Sequence, residues 1–249
     1  MVAIHGLSLP SRPRLVKAPP WGHLKIESLG QNRESAGHGA AASGPESSHD
    51  MNAMADQAEH APLTPDTNAL VAERLFNSRT VLIFGEITPV LAERVTAQLL
   101  ALATHGRAPI RVLISSPGGH VESGDVIHDV IRFIEPVVKI VGTGWVSSAG
   151  ALIYVATPRE HRYALPNTRF LLHEPSGGVS GAVADIEIEA RQVLAIRERL
   201  LHIFSAATGQ PIEKVARDTA RNHWLLANEA VSYGLVGRII ERASELDGL

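Results

Sequence analysis

Acyl transfer needs a nucleophile, a base and donors for an oxyanion, and three short segments of this chain carry residues of those types. Gly142-Thr-Gly-Trp-Val-Ser-Ser-Ala-Gly-Ala151 places serines where an apolar strand turns into a helix. Glycines at 142, 144 and 150 permit the strained backbone and close packing of such an elbow. A serine at the helix start lies beside unsatisfied N–H groups and the positive end of the helix dipole, so an oxyanion formed there is stabilised. Ser147 or Ser148 could equally be a plain N-cap, the commonest role of serine before a helix.

The second segment is Ser116-Pro117-Gly118-Gly119, where two glycines expose backbone N–H groups after the strand Ile110-Arg-Val-Leu-Ile-Ser115. Ligands of open α/β sheets bind at that carboxyl edge, although a plain tight turn has the same sequence. The third is Thr168-Arg-Phe-Leu-Leu-His173, an apolar run closed by a histidine and followed by Glu174-Pro-Ser-Gly-Gly178. One histidine among 12 is often structural, but one ending a strand before a glycine-rich loop can reach into a cleft.

These segments need elements that hold them, and the pattern alternates strand and helix. Thr80 to Phe84 reads as a strand, and Thr88-Pro89 caps a helix with the apolar stripe Leu91, Val95, Leu99 and Leu102. The strand from Ile110 follows, then a helix carrying Val126, Ile127, Val130, Ile131 and Ile134, a strand over Val137–Val141, and the elbow helix. Such a right-handed βαβ series predicts an α/β fold with a mainly parallel sheet. From Gly181 to about Thr208 runs a longer helix, apolar on several sides, with Ile186, Ile188, Val193, Leu194, Ile196, Leu200, Leu201 and Phe204.

Other chemistries fit poorly. The chain has no cysteine, which excludes thiol catalysis, disulfides and zinc–cysteine sites. Gly142-Thr-Gly144 lacks the third glycine of a dinucleotide fingerprint, and no phosphate-binding Gly-Lys-Ser/Thr loop occurs. His173-Glu174 lacks the second histidine of a zinc-protease motif. A formal charge of -3 and only 4% aromatic residues argue against nucleic-acid binding. No apolar run approaches the roughly 18 residues of a membrane span, so the expectation is a soluble, cytoplasmic protein.

In order and spacing these segments resemble the proteolytic subunit of the ATP-dependent Clp protease, a serine peptidase family. The resemblance runs from about Leu75 to about Ile240 and rests on an ordered set. It comprises Ser115-Ser-Pro-Gly-Gly119, Ser147-Ser-Ala-Gly-Ala151, Leu165-Pro-Asn-Thr-Arg169 into His173-Glu-Pro175, Asp185-Ile-Glu-Ile188 with Ala190-Arg191, Arg217-Asp-Thr219, and Glu229-Ala-Val with Tyr233-Gly-Leu-Val236. It implies a spiral of ββα units, as in crotonases, with the long helix and the glycine-rich strand before it protruding as a handle that joins two rings. It makes Ser148 the nucleophile, chosen over Ser147 by the Ser-x-Gly-Ala match, and His173 the general base. Gly119 and Ala149 become the oxyanion donors. No cofactor or metal is implied, since ATP belongs to a partner ATPase.

The chain departs from the family pattern in informative places. The third catalytic residue, an aspartate in the family, falls on Asn222. Asparagine can orient a histidine but cannot stabilise its charge, and this exchange in another serine protease costs roughly ten-thousand-fold in turnover. A weak or conditional peptidase is expected, with Asp218, read as one helical turn earlier, as a substitute carboxylate. Positions where aromatics often line the ATPase-docking pocket are Arg111 and Leu113, and the acidic residue that usually precedes the ring-contact Arg221 is Ala220. The implied partners are copies of this chain or of a paralogue in two stacked heptameric rings, a Clp-family AAA+ ATPase, and unfolded protein substrates.

Residues 1–65 are rich in Pro, Gly, Ser, Ala and His without periodicity, which predicts a disordered leader before a peptidase domain over 66–249. With methionines only at 1, 51 and 54, translation starting at Met51 or Met54 is one reading, and an organelle transit peptide is its rival. Three function classes remain: a Ser-His-Asn endopeptidase, a catalytically weak or inactive subunit regulating a mixed ring, and a crotonase-type acyl-CoA enzyme, in which Ser148 paired with His173 would have no purpose.

Overall fold

The computed structural model describes residues 65–176 and 180–247. The leader expected over 1–65 lies outside them, except that Pro65 already opens a helix, α1 (Pro65–Asn77), which the sequence reading does not include. Then follow β1 (Thr80–Phe84), α2 (Pro89–His105), β2 (Ile110–Ser116), α3 (Val121–Phe133), β3 (Val138–Ser147) and α4 (Ala149–Tyr154). After β4 (Arg162–Ala164) and β5 (Arg169–Leu172) come α5 (Val183–Thr208), α6 (Ile212–Thr219), β6 (His223–Leu226), α7 (Ala227–Tyr233), β7 (Arg238–Ile239) and α8 (Ser244–Asp247).

The α2 helix forms as its sequence dictates. Thr88 accepts a hydrogen bond from the Leu91 N–H at 3.2 Å, proline occupies the first turn where no donor is needed, and the expected stripe is buried. β2 is buried at alternate residues. Its inward Ile110, Val112 and Ile114 join Val81 and Ile83 of β1 and Val138 and Ile140 of β3 in one core with α2, α3 and α4.

The sheet has seven strands, and every pairing in it is parallel except one. Its path runs β1-β2-β3-β4-β7, with β5 pairing both β3 and β6. The strand expected over Val137–Val141 is twice as long as that, because β3 continues through Gly142-Thr-Gly to Ser147. Its first half pairs with β4 through Ile140, Val141 and Gly142, and its last three residues pair with β5. The exception to the parallel rule is β6, which runs antiparallel to β5.

The long helix spans 26 residues, close to expectation, but its burial is uneven. Leu201 and Phe204 are in the core, whereas Val183, Ile188 and Leu194 are exposed at 84%, 54% and 62%. An apolar face left in water on this scale marks a surface for association. The glycine-rich segment before this helix includes 177–179, outside the described residues. Among the described residues, no helix is long and apolar enough to cross a membrane.

Arg162 ties the carboxyl-terminal third of the fold together. It is buried, and its guanidinium donates to the carbonyls of Thr157 at 2.8 Å, Ala207 at 3.0 Å and Leu235 at 3.1 Å. Burial lowers its pKa to about 10, so it stays charged at neutral pH. Arg162→Ala would orphan three carbonyls from three different segments and is expected to cost about 3 kcal/mol, read as a fall in thermal midpoint.

Candidate active site

Four strand ends meet at one edge of the sheet. β2, β3 and β5 arrive with their carboxyl ends, and antiparallel β6 contributes its start. Such an edge collects residues from distant parts of the chain, and here it collects the three segments singled out by sequence.

Ser148 follows the last residue of β3 and precedes the first of α4. Its backbone has φ 53° and ψ -120°, a left-handed conformation that L-residues with side chains rarely adopt. It makes no side-chain cap bond, so the N-cap alternative is not what the structure contains. Its N–H donates to the Leu171 carbonyl at 3.0 Å and its carbonyl accepts from Leu152 N–H at 3.0 Å. With its main chain fixed on both sides, the side chain is presented at the elbow. Ser147 is the last residue of β3 and buried, with its Oγ making no hydrogen bond. The local geometry therefore separates the two serines where sequence chemistry left both open.

His173 comes one residue after β5, half-buried. β5 pairs with β3 through Ser147 and Leu171, so Ser148 leaves the sheet beside Leu172, the residue before His173. Ser148 and His173 line a common narrow cleft whose other walls are apolar, among them Val121, Leu152, Leu172, Leu200 and Phe204. Asn222 is exposed, just before β6. Leu172 with His223 is the last pair of that antiparallel ladder, and His173 and Asn222 each lie one residue beyond it. Past that point the ladder ends, and Glu174 N–H donates to Thr219 O at 3.0 Å, two residues off the register. Glu174 also pairs with Arg197 of α5 at 2.7 Å, a contact that nothing in the local sequence announces.

Gly118 lies directly on Ser148. A Cβ built at Gly118 would fall 2.7 Å from the Ser148 Cβ and 3.0 Å from the Ser147 carbonyl oxygen. Gly119 has φ +145° and bridges to Ile87, where a Cβ would sit 2.3 Å from the Ile87 carbonyl oxygen. Both positions therefore exclude any side chain. Ala149 is buried at the start of α4.

Asp218 stands elsewhere. α6 ends at Thr219, so Asn222 is not on the same helix, and the idea of a carboxylate one turn away fails on that geometry. The Asp218 carboxylate accepts from Lys214 Nζ at 2.6 Å and from the Tyr233 hydroxyl at 2.9 Å. Partial burial opposes its ionisation, but these two hydrogen bonds together outweigh it and hold its pKa below the usual carboxylate range.

Comparison with known proteins places the chain in a family. Residues 65–243 match the family model of the Clp protease. The chain is 56% identical over 185 residues to ATP-dependent Clp protease proteolytic subunit 3 of Rhizobium meliloti, covering 74% of this chain and 93% of that protein. It is 59% identical over 175 residues to proteolytic subunit 2 of Gluconobacter oxydans, covering 70% and 78%. Among solved structures, ClpP1 from Listeria monocytogenes aligns with a TM-score of 0.65 at 49% identity, covering 71% of this chain and 99% of that one. A mutant form of the same Listeria protein aligns at 0.67.

Two outcomes follow from this geometry. Gly118→Ala is expected to abolish the reaction of Ser148 with a fluorophosphonate, whereas Gly209→Ala, at φ +74° with nothing within 4 Å, should lose only about 1 kcal/mol of stability and keep that reactivity. Because the folded pKa of Asp218 is depressed, its ionised form adds stability above the unfolded carboxylate pKa of about 3.9, lost as pH falls through the lower folded value. Asp218→Asn should therefore lower the thermal midpoint at pH 7 by an amount worth about 1 kcal/mol, with the difference closing in strong acid and Ser148 reactivity unchanged.

Proposed function

Because the chain belongs to the Clp protease family, we propose that it is a serine endopeptidase, the proteolytic subunit of an ATP-dependent Clp-type protease, working through Ser148, His173 and Asn222. The observation that carries this reading is the left-handed backbone of Ser148, held at φ 53° in the cleft it shares with His173. Strain of this kind costs about 1–3 kcal/mol and persists where surrounding structure imposes it, most often at functional sites.

In this reading Ser148 Oγ attacks the scissile carbonyl while His173 takes its proton. The oxyanion is received by the N–H groups of Gly119 and Ala149. His173 returns the proton to the leaving amine, and water, activated by the same histidine, releases the acyl group as a carboxylic acid. Asn222 orients His173 without contributing charge, which makes a slow enzyme.

The exposed apolar residues of α5 support assembly into two stacked heptameric rings, homomeric or mixed with a paralogue. Unfolded chains would enter that chamber from a Clp-family AAA+ ATPase, which alone consumes ATP. Asn222 also favours a second reading, in which this chain is a weak or silent subunit regulating a mixed ring.

Fluorophosphonate labelling followed by intact mass separates the two. The wild-type protein is expected to gain one adduct, lost in Ser148→Ala, and Asn222→Asp should speed labelling by up to about ten-thousand-fold. No adduct in an assembled ring would leave the regulatory reading standing.

A further inference from the structure

Ser116 closes β2 and is wholly buried, at 0% exposure. Its Oγ accepts a hydrogen bond from the Gly118 N–H at 3.1 Å. On the other side of the loop, the Gly118 carbonyl accepts from Ile87 N–H at 2.8 Å, and His120 N–H donates to the Ile87 carbonyl at 2.8 Å. The Gly119 N–H takes no part in this pairing. In a trans peptide the C=O and the next N–H point in opposite directions, so a Gly118 carbonyl turned to Ile87 turns the Gly119 N–H away from it. Glycine at both positions leaves this peptide plane free to rotate, since neither residue has a Cβ to oppose a flip. It is held by the Ile87 N–H on its own carbonyl and, through the peptides on either side, by the Ser116 hydroxyl on the Gly118 N–H and the Ile87 carbonyl on the His120 N–H.

Ser116 also touches the second half of the site. A Cβ built at Gly150 would come 3.1 Å from the Ser116 Cβ, so the α4 backbone passes close over the same side chain that holds Gly118. One buried residue thus sets the spacing between the loop that carries Gly119 and the helix that carries Ala149.

We propose that Ser116 is a positioning residue for acyl transfer: by fixing Gly118 against β2, its hydroxyl keeps the Gly119 N–H turned toward the developing oxyanion. This rests on the peptidase reading above. A preorganised oxyanion donor acts on the transition state far more than on ground-state binding, and losing one outright costs about a hundred- to a thousandfold in rate. Loosening one costs less.

The test uses the full-length protein as wild type, Ser116→Ala and Ser116→Thr, with two readouts. Hydrogen exchange of the Gly118 amide reports the clamp without any activity, and fluorophosphonate labelling reports its consequence. In Ser116→Ala the Gly118 amide should exchange at least about tenfold faster while amides of Val112 to Ile114 keep their rates. Its maximal labelling rate should fall about tenfold or more with the half-saturating probe concentration unchanged, and Ser116→Thr, which keeps the hydroxyl, should recover most of that loss. Unchanged Gly118 exchange overturns the proposal, as does a wild-type maximal labelling rate in Ser116→Ala, or an equal fall in the alanine and threonine variants. A wild-type protein that never labels sinks the peptidase reading instead, and the clamp then stands or falls on Gly118 exchange alone.

Discussion

The site depends on how β3 ends. That strand is held by parallel neighbours almost to its last residue, with Val146 paired to Ser116 on one side and Ser147 to Leu171 on the other. The chain must then enter α4 within a single residue, and that residue, Ser148, takes a left-handed backbone as a result. Strain worth about 1–3 kcal/mol at one position is small beside the hydrogen bonds and apolar burial on both flanks that impose it. The same squeeze explains why Gly118 has no side chain, since the space a Cβ needs is filled by Ser148.

The two strands flanking β3 lead to the other candidate groups. β2 runs out into the loop that carries Gly119, and β5 runs out into His173. β6, laid antiparallel on β5 with His223 opposite Leu172, brings Asn222 to the end of β5 from which His173 leaves, though the two are far apart in sequence. Asp218, the carboxylate considered as a substitute for Asn222, is held by Lys214 and Tyr233. Beyond His173, the ion pair of Glu174 with Arg197 links the loop to the long α5 helix, whose amino-terminal half presents exposed apolar residues.

Much of this was legible in the chain. Residues that form structure by local rules were read correctly: the proline-started α2 with its buried stripe, the alternating β2, and the serine elbow after β3. What escaped depends on contacts between segments far apart in sequence. β3 runs on through Gly142-Thr-Gly because β4 and β5 pair along its length, although glycines usually end a strand. β6 is a strand because β5 pairs with all four of its residues, His223–Leu226, a run too short to show a strand pattern by itself. Ser116 reads as one more residue of a tight turn, and only its complete burial under α4 marks it as different. The choice of Ser148 over Ser147 came from a family pattern and agrees with a backbone angle that composition does not encode.

The central claim is that Ser148, Gly119 and Ala149 form one preorganised acyl-transfer site. Its most direct test is the crystal structure of the protein with a peptide boronate. The peptidase reading predicts a covalent bond from Ser148 Oγ to boron and one boronate oxygen within about 2.7–3.1 Å of both the Gly119 and Ala149 nitrogens. A boronate left unbound, or bound with its oxygens turned to solvent away from both amides, would contradict it.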